Sequence, residues 1–246
     1  GMPIHFLILP TEKFPDLIII EDITHSLFSI DISSSNLINF SVGSIRKWIG
    51  IPDGEILLSK LDILNKPKYT NNQFVEKRKV ALQLKREYET TGDIRTKKNF
   101  RKLFGDAELF LNENYEYMPC SKESVRFIMS LDIHKIILKR YNNLRVLLNI
   151  IQFIKGIHII KPIIKNHNVC PFTLPILVNN RDKVQKELAE KGLYAPILWP
   201  IDNEAKAICE VSKSFSEKML AIPVDQRYNS FNMAEIGAIL KGVLNS

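Results

Sequence analysis

The chain has 246 residues, enough for one large domain or two modest ones. Hydrophobic residues make up 45% and charged residues 25%, as in ordinary globular proteins, and no apolar run approaches the ~20 residues of a membrane-spanning helix. The net charge of +7 raises nucleic-acid binding, but the basic residues gather around 77–102, where Glu76, Glu87, Glu89 and Asp93 interrupt them. No nucleic-acid motif accompanies that run, so it reads as a solvated helix face and no specific nucleic-acid partner is expected.

In chain order, residues 4–9 and 17–20 read as strands, as do 37–42 and 55–59. Asn71 and Asn72 offer the start of a helix over 73–90, closed by Gly92, and a second, basic helix covers about 95–111. The strongest helical signal lies in 132–155. There Ile133, Ile136, Ile137, Tyr141, Leu144, Leu147, Leu148, Ile151 and Ile154 recur at three- and four-residue steps and line one side. Gly156 stops this helix. Strands at 158–164 and 172–178, a helix at 181–191, a short helix at 213–220 and a last helix at 232–244 follow. The change of pattern places a domain boundary near residue 155, with an α/β part before it and a small α+β part (156–246) after it. There is no internal repeat.

Cys120, Cys170 and Cys209 are odd in number and lack metal-site spacing, so they read as reduced thiols of a cytoplasmic protein. The N-terminus lacks a signal-peptide pattern, and Gly1 before Met2 reads as the scar of tag removal. His134, His158 and His167 are not spaced to share a metal.

The stretch "LIIIEDITHSLFS" runs four apolar residues into Glu21 and Asp22, with His25 close behind. The simplest reading is a strand that surfaces, with Asp22 capping the next turn. The alternative is an acid facing a ligand, since open α/β sheets bind ligands at the carboxyl ends of their strands. Downstream, "FSVGSIRKWIGIPDG" sets Lys47 in a glycine-rich segment with Ser41 and Ser44 just before it. Pyridoxal phosphate chemistry asks for these residue types. It needs a lysine to bind the aldehyde, a carboxylate for the pyridine nitrogen, a side chain near the 3'-oxygen, and hydroxyls on the phosphate.

Together, "IIIEDITHSLFS" and "SIRKWIGIPDG" resemble the DegT/StrS-type sugar aminotransferases, fold-type I enzymes of pyridoxal phosphate. "PFTLPILVNNRDKVQKELAEKGLYAPILWP" and "SEKMLAIPVDQRYNSFNMAEI" resemble that family's small C-terminal domain. The resemblance implies a partial aspartate-aminotransferase-type large domain over 1–155, ending in a connecting helix, followed by the small domain over 156–246. It implies that Asp22 pairs with the ring nitrogen, His25 contacts the 3'-oxygen, Lys47 is the Schiff-base lysine, and Ser41 or Ser44 touches the phosphate. Asn114-Tyr115 matches the Asn-Tyr motif that reaches into a partner subunit's site, which implies a homo-oligomer. The implied substrate is a nucleotide-linked keto sugar.

Two departures stand out: Asp53-Gly54-Glu55 replaces an acid followed by two glycines, and Glu116 stands where arginine is usual. Only 21 residues precede Asp22, whereas the family carries a phosphate-binding helix before it. The expectation is therefore a shortened member that binds the cofactor weakly or is inactive. A scaffold that keeps the fold without the cofactor is the alternative. Trp48 is expected to pack, and Arg227 either meets an acidic substrate group or stabilises its turn.

Overall fold

The structure is a computed structural model that describes residues 17–29, 38–59, 61, 72–114, 119–160, 169–201 and 209–245. The strand expected at 4–9 and the histidine at 167 lie outside these residues. Contacts divide the chain into two compact units, one drawn mainly from residues before Asp132 and the other mainly from Asp132 onwards.

In the N-terminal unit, β1 (Ile20–Asp22) pairs in parallel with β2 (Phe40–Ser44), and β2 pairs antiparallel with β3 (Glu55–Ser59). A single 3-10 turn, Ile45–Lys47, follows β2. β1 begins three residues later than the apolar run suggests and ends two residues beyond it, with Glu21 paired to Ser41 and Asp22 to Val42. Two helices follow, α1 (Asn72–Thr91) and α2 (Ile94–Glu113). Gly92, at φ +70°, makes the left-handed residue that ends α1, and Asp93 caps α2 by accepting from the Arg95 and Thr96 amides. Phe74 and Val75 at the start of α1 pack with Ala107, Phe110 and Leu111 near the end of α2, so the pair is an antiparallel hairpin. A further helix, α3 (Lys122–Met129), has no counterpart in the sequence reading.

The basic run is partly consumed inside this hairpin. Arg78 is buried, Lys79 pairs with Glu76 and Glu123, Lys85 with Glu89, and Lys77 and Lys97 lie over Phe110 and Tyr88.

The C-terminal unit holds α4 (Ile133–Ile151), β4 (Ile157–Ile159), β5 (Thr173–Val178), α5 (Arg181–Glu190), α6 (Glu210–Lys218), β6 (Met219–Pro223) and α7 (Ser230–Leu244). Its sheet is antiparallel with β5 in the centre. Alternation along β5 buries Leu174, Ile176 and Val178. Leu144, Leu147 and Ile151 of α4 and Met233, Ile236 and Leu240 of α7 complete that core. The helix expected at 213–220 ends at Lys218, since Met219 and Leu220 pair with β5.

Gly237 sits where α7 crosses α4. A Cβ added there would lie 2.4 Å from Ile150 Cγ2 and 3.3 Å from Ile150 Cβ, and a β-branched side chain on a helix has little freedom to give way. Alanine normally gains roughly 1 kcal/mol over glycine within a helix. Here overpacking of ~1–3 kcal/mol opposes that gain, so Gly237→Ala should lower the urea midpoint. A raised midpoint would show that the helices separate without strain.

Candidate functional site

Because β1 and β2 are parallel, their carboxyl ends lie at one edge of the sheet, the place where open sheets of this kind receive ligands. Asp22 ends β1 and Ser44 ends β2, immediately before the turn that carries Lys47. The two connections are stitched together through Thr24. Its Oγ1 accepts the Ser44 amide at 3.2 Å, and its carbonyl accepts the Trp48 indole Nε1–H at 2.6 Å. Trp48 is thereby buried as expected, at 3% exposure. Asp22 Oδ1 accepts the Thr24 amide at 2.8 Å, which folds the chain into the turn that presents His25.

Asp22 and Lys47 are exposed, and His25, half-buried, feels the charge of both. Burial pushes the His25 imidazole below its usual value; the Asp22 carboxylate pulls it back up and the Lys47 ammonium pushes it further down. The imidazole is therefore neutral at pH 7, with one nitrogen able to donate and the other to accept.

The pleat separates the two candidate serines. Asp22 pairs with Val42, so Asp22, Val42 and Ser44 project from one face of the sheet, while Ser41 pairs with Glu21 and projects from the other. Ser41 is buried at 5% exposure. The Ser44 Oγ is buried without a hydrogen-bond partner among the described residues, an arrangement few buried hydroxyls tolerate. Glu55 pairs with Ser44 across β2–β3, so its exposed side chain stands on the Ser44 face too.

Among the described residues, no hydrogen bond or ion pair ties Asn114 to this edge. It ends α2, and its side-chain amide donates to the Phe110 carbonyl at 2.9 Å. Tyr115 and Glu116 lie outside the described residues. Arg227 forms a two-pronged pair with Asp225, 2.8 and 3.1 Å, and so stabilises its own turn. His134 and His158 are exposed, and no metal-binding group of three or more His, Cys, Asp or Glu occurs among the described residues. None of the described helices is long and apolar enough to cross a membrane.

Three charged neighbours of the Lys47 turn carry no sequence signal: Arg46, Arg78 and Glu108. Arg46 and Arg78 both donate to Glu108 Oε1, and Arg46 also reaches Oε2 at 3.2 Å. Glu108 is one of three acids in the second half of α2, with Asp106 and Glu113, and only the fold shows that it meets the segment holding Lys47. Asp53 also finds its role here. Buried at 8% exposure, its carboxylate accepts from the Ser121 amide, the Ser121 hydroxyl and the Ser124 hydroxyl at the start of α3. Gly54 beside it has φ +139°, and a Cβ there would sit 2.9 Å from Ile51 Cδ1, so glycine is required at that position.

No protein-family model matches the sequence, and no curated protein does. The fold, however, is shared with solved sugar aminotransferases. A Streptococcus pneumoniae protein assigned as a sugar aminotransferase, in its PMP form, aligns with a TM-score of 0.54 at 12% identity, covering 96% of this chain and 61% of that one. The same protein is also solved in a PLP form. A DegT DnrJ EryC1 StrS aminotransferase from Brucella abortus aligns at 0.52 and 15% identity, covering 96% and 59%. A Helicobacter pylori aminotransferase involved in the biosynthesis of pseudoaminic acid aligns at 0.54 and 12%, covering 96% and 61%. The chain thus has a partial aminotransferase fold of the mixed α/β class and spans 59–61% of the length of these structures.

Proposed function

We propose that the chain is a pyridoxal phosphate-dependent aminotransferase-like protein of the DegT/StrS type, related to enzymes that aminate nucleotide-linked keto sugars. The observation that carries this reading is the parallel β1–β2 pair, whose carboxyl ends put Asp22 and the turn of Lys47 at one sheet edge, where His25 feels both charges. In this reading residues 1–155, with α4 as the connecting helix, form part of the large domain and 156–246 the small one. The protein is a cytoplasmic homo-oligomer, and Asn114 serves a partner's site.

The residues present fit the cofactor. When bound, pyridoxal phosphate supplies the electron sink for amino-group transfer. Asp22 would accept from the protonated pyridine nitrogen while keeping its bond from the Thr24 amide. His25, neutral, would hydrogen-bond the 3'-oxygen. Lys47 Nζ would hold the aldehyde and would be the group that carries a proton there. Ser44, on the Asp22 face, would give its hydroxyl to the phosphate, and its lack of a partner among the described residues supports Ser44 over Ser41 for that contact.

The expected affinity is low, because the exposed Glu55 carboxylate adds a like charge beside Ser44, where the phosphate would sit. That carboxylate is also the observation that favours the alternative, a scaffold that keeps the fold and not the cofactor.

The test is an absorbance titration with pyridoxal phosphate, followed by borohydride reduction and peptide mass mapping. The expected result is a weakly saturating band, absent in Lys47→Ala, with the reduced adduct on Lys47. Binding at micromolar or tighter concentration would overturn the low affinity. An unchanged band in Lys47→Ala would identify another lysine, and no band at millimolar cofactor would favour the scaffold.

A further inference from the structure

We propose that Glu108 is a positioning residue for Lys47, acting through Arg46; this rests on the reading of Lys47 as the cofactor's lysine. In a 3-10 turn successive side chains diverge by about a third of a circle, so Arg46, Lys47 and Trp48 leave the turn in three directions. Two of the three are tied down. Trp48 is fastened to the Thr24 carbonyl on the side of Asp22 and His25. Arg46 grips both oxygens of Glu108 on α2. Lys47, between them, is the one left exposed to meet a ligand.

Glu108 is more than the far end of one ion pair. Its Oε1 also takes Arg78 Nη1 at 3.0 Å, and Arg78 Nε donates to the Pro52 carbonyl at 2.9 Å, in the segment that leads from the turn into β3. One carboxylate thus holds the Lys47 turn directly and its return segment through Arg78. Phe74 lies 5.8 Å from the Arg46 guanidinium and 5.9 Å from that of Arg78, and Phe104 lies 4.7 Å from Arg78. The arginine side chains are 12% and 11% exposed, so neither can replace Glu108 with water as an exposed pair would. Burial pushes the Glu108 carboxyl up, but the Arg46 hydrogen bond and the charges of Arg46, Arg78 and Lys47 hold it below its usual value. It is therefore ionised at neutral pH, and Lys47 is close enough to act on it.

The experiment compares Glu108→Gln and Arg46→Lys with the unmodified protein, first without cofactor. Lysines are labelled competitively with acetic anhydride, and Lys47 is read against exposed Lys186 of α5. The expected result is faster labelling of Lys47 alone, larger in Glu108→Gln than in Arg46→Lys, which keeps the charge but loses the fork. With pyridoxal phosphate, formation of the absorbance band should slow by about tenfold or more, as misplacement of a reacting group does. A merely structural role would lower the melting temperature and leave the Lys47 to Lys186 ratio unchanged, and that outcome in Arg46→Lys overturns the proposal even if Glu108→Gln fails to fold. A band that survives Lys47→Ala sinks the functional reading instead, and the labelling comparison still decides the positioning claim.

Discussion

Arg140→Ala should destabilise the protein by ~3–5 kcal/mol, because it strands buried acceptors rather than merely deleting a charge. Arg140 projects from α4 and is 2% exposed. Its Nε donates to Gln226 Oε1 at 2.6 Å, and one Nη1 donates to the Pro171 and Phe172 carbonyls, both at 3.0 Å. Those carbonyls belong to the segment entering β5, and Gln226 to the turn before α7, so one guanidinium ties three parts of the C-terminal unit together. Burial lowers its pKa to about 10, which leaves it charged at neutral pH and donating strongly. Asn143, one turn later, adds bonds of 2.8 Å to the Asp225 carbonyl and 3.1 Å to that of Tyr228. Urea denaturation of three variants separates the causes. Arg140→Met retains bulk but should recover little, and Arg140→Lys keeps a donor and should recover roughly half. A methionine variant as stable as the parent would mean that the volume, not the hydrogen bonding, matters.

Asp53→Ala should cost a similar ~3–5 kcal/mol through the N-terminal unit. Its carboxylate accepts the Ser121 amide at 2.6 Å and the Ser121 hydroxyl at 2.7 Å, and takes the Ser124 hydroxyl on the same oxygen as that hydroxyl. Removing it leaves the Ser121 amide and the Ser124 hydroxyl without their acceptor at residues exposed by 7% and 1%, while the Ser121 hydroxyl keeps only Ser124 Oγ at 3.1 Å. It also removes a negative charge from the start of α3, where the helix dipole favours one. Burial and the Asp53 charge raise the neighbouring Cys120 thiol to about 11, so that cysteine stays protonated and unreactive at neutral pH. Asp53→Asn preserves one acceptor and should lose about half as much. Hydrogen exchange places the effect: α3 amides should lose protection first, and equal loss across both units would contradict a local cap.

Local pattern determined much of this protein. Apolar runs marked β3 and β5, three- and four-residue spacing marked α4, and Gly92 marked the end of α1, because each of these signals acts within a few residues of itself. Asp22, His25 and Lys47 were expected as a set only through a family resemblance; the structure adds that the strand ends before His25 and before the Lys47 turn lie side by side as a parallel pair. What tertiary structure decided are matters of long sequence separation. Periodicity showed the apolar side of α4 but not that it packs against β5 and α7. α3 escaped notice because it is only eight residues long, and Ser121, the residue that caps it, is held by Asp53, 68 residues earlier in the chain. Ser41 and Ser44 are equivalent as letters; strand register puts them on opposite faces, since side chains alternate with a period of two. Glu108 and Arg46 are 62 residues apart, and an ion pair across that distance has no local signature. A sequence carries propensities and faces, whereas pairings between distant residues exist only once the chain has closed on itself.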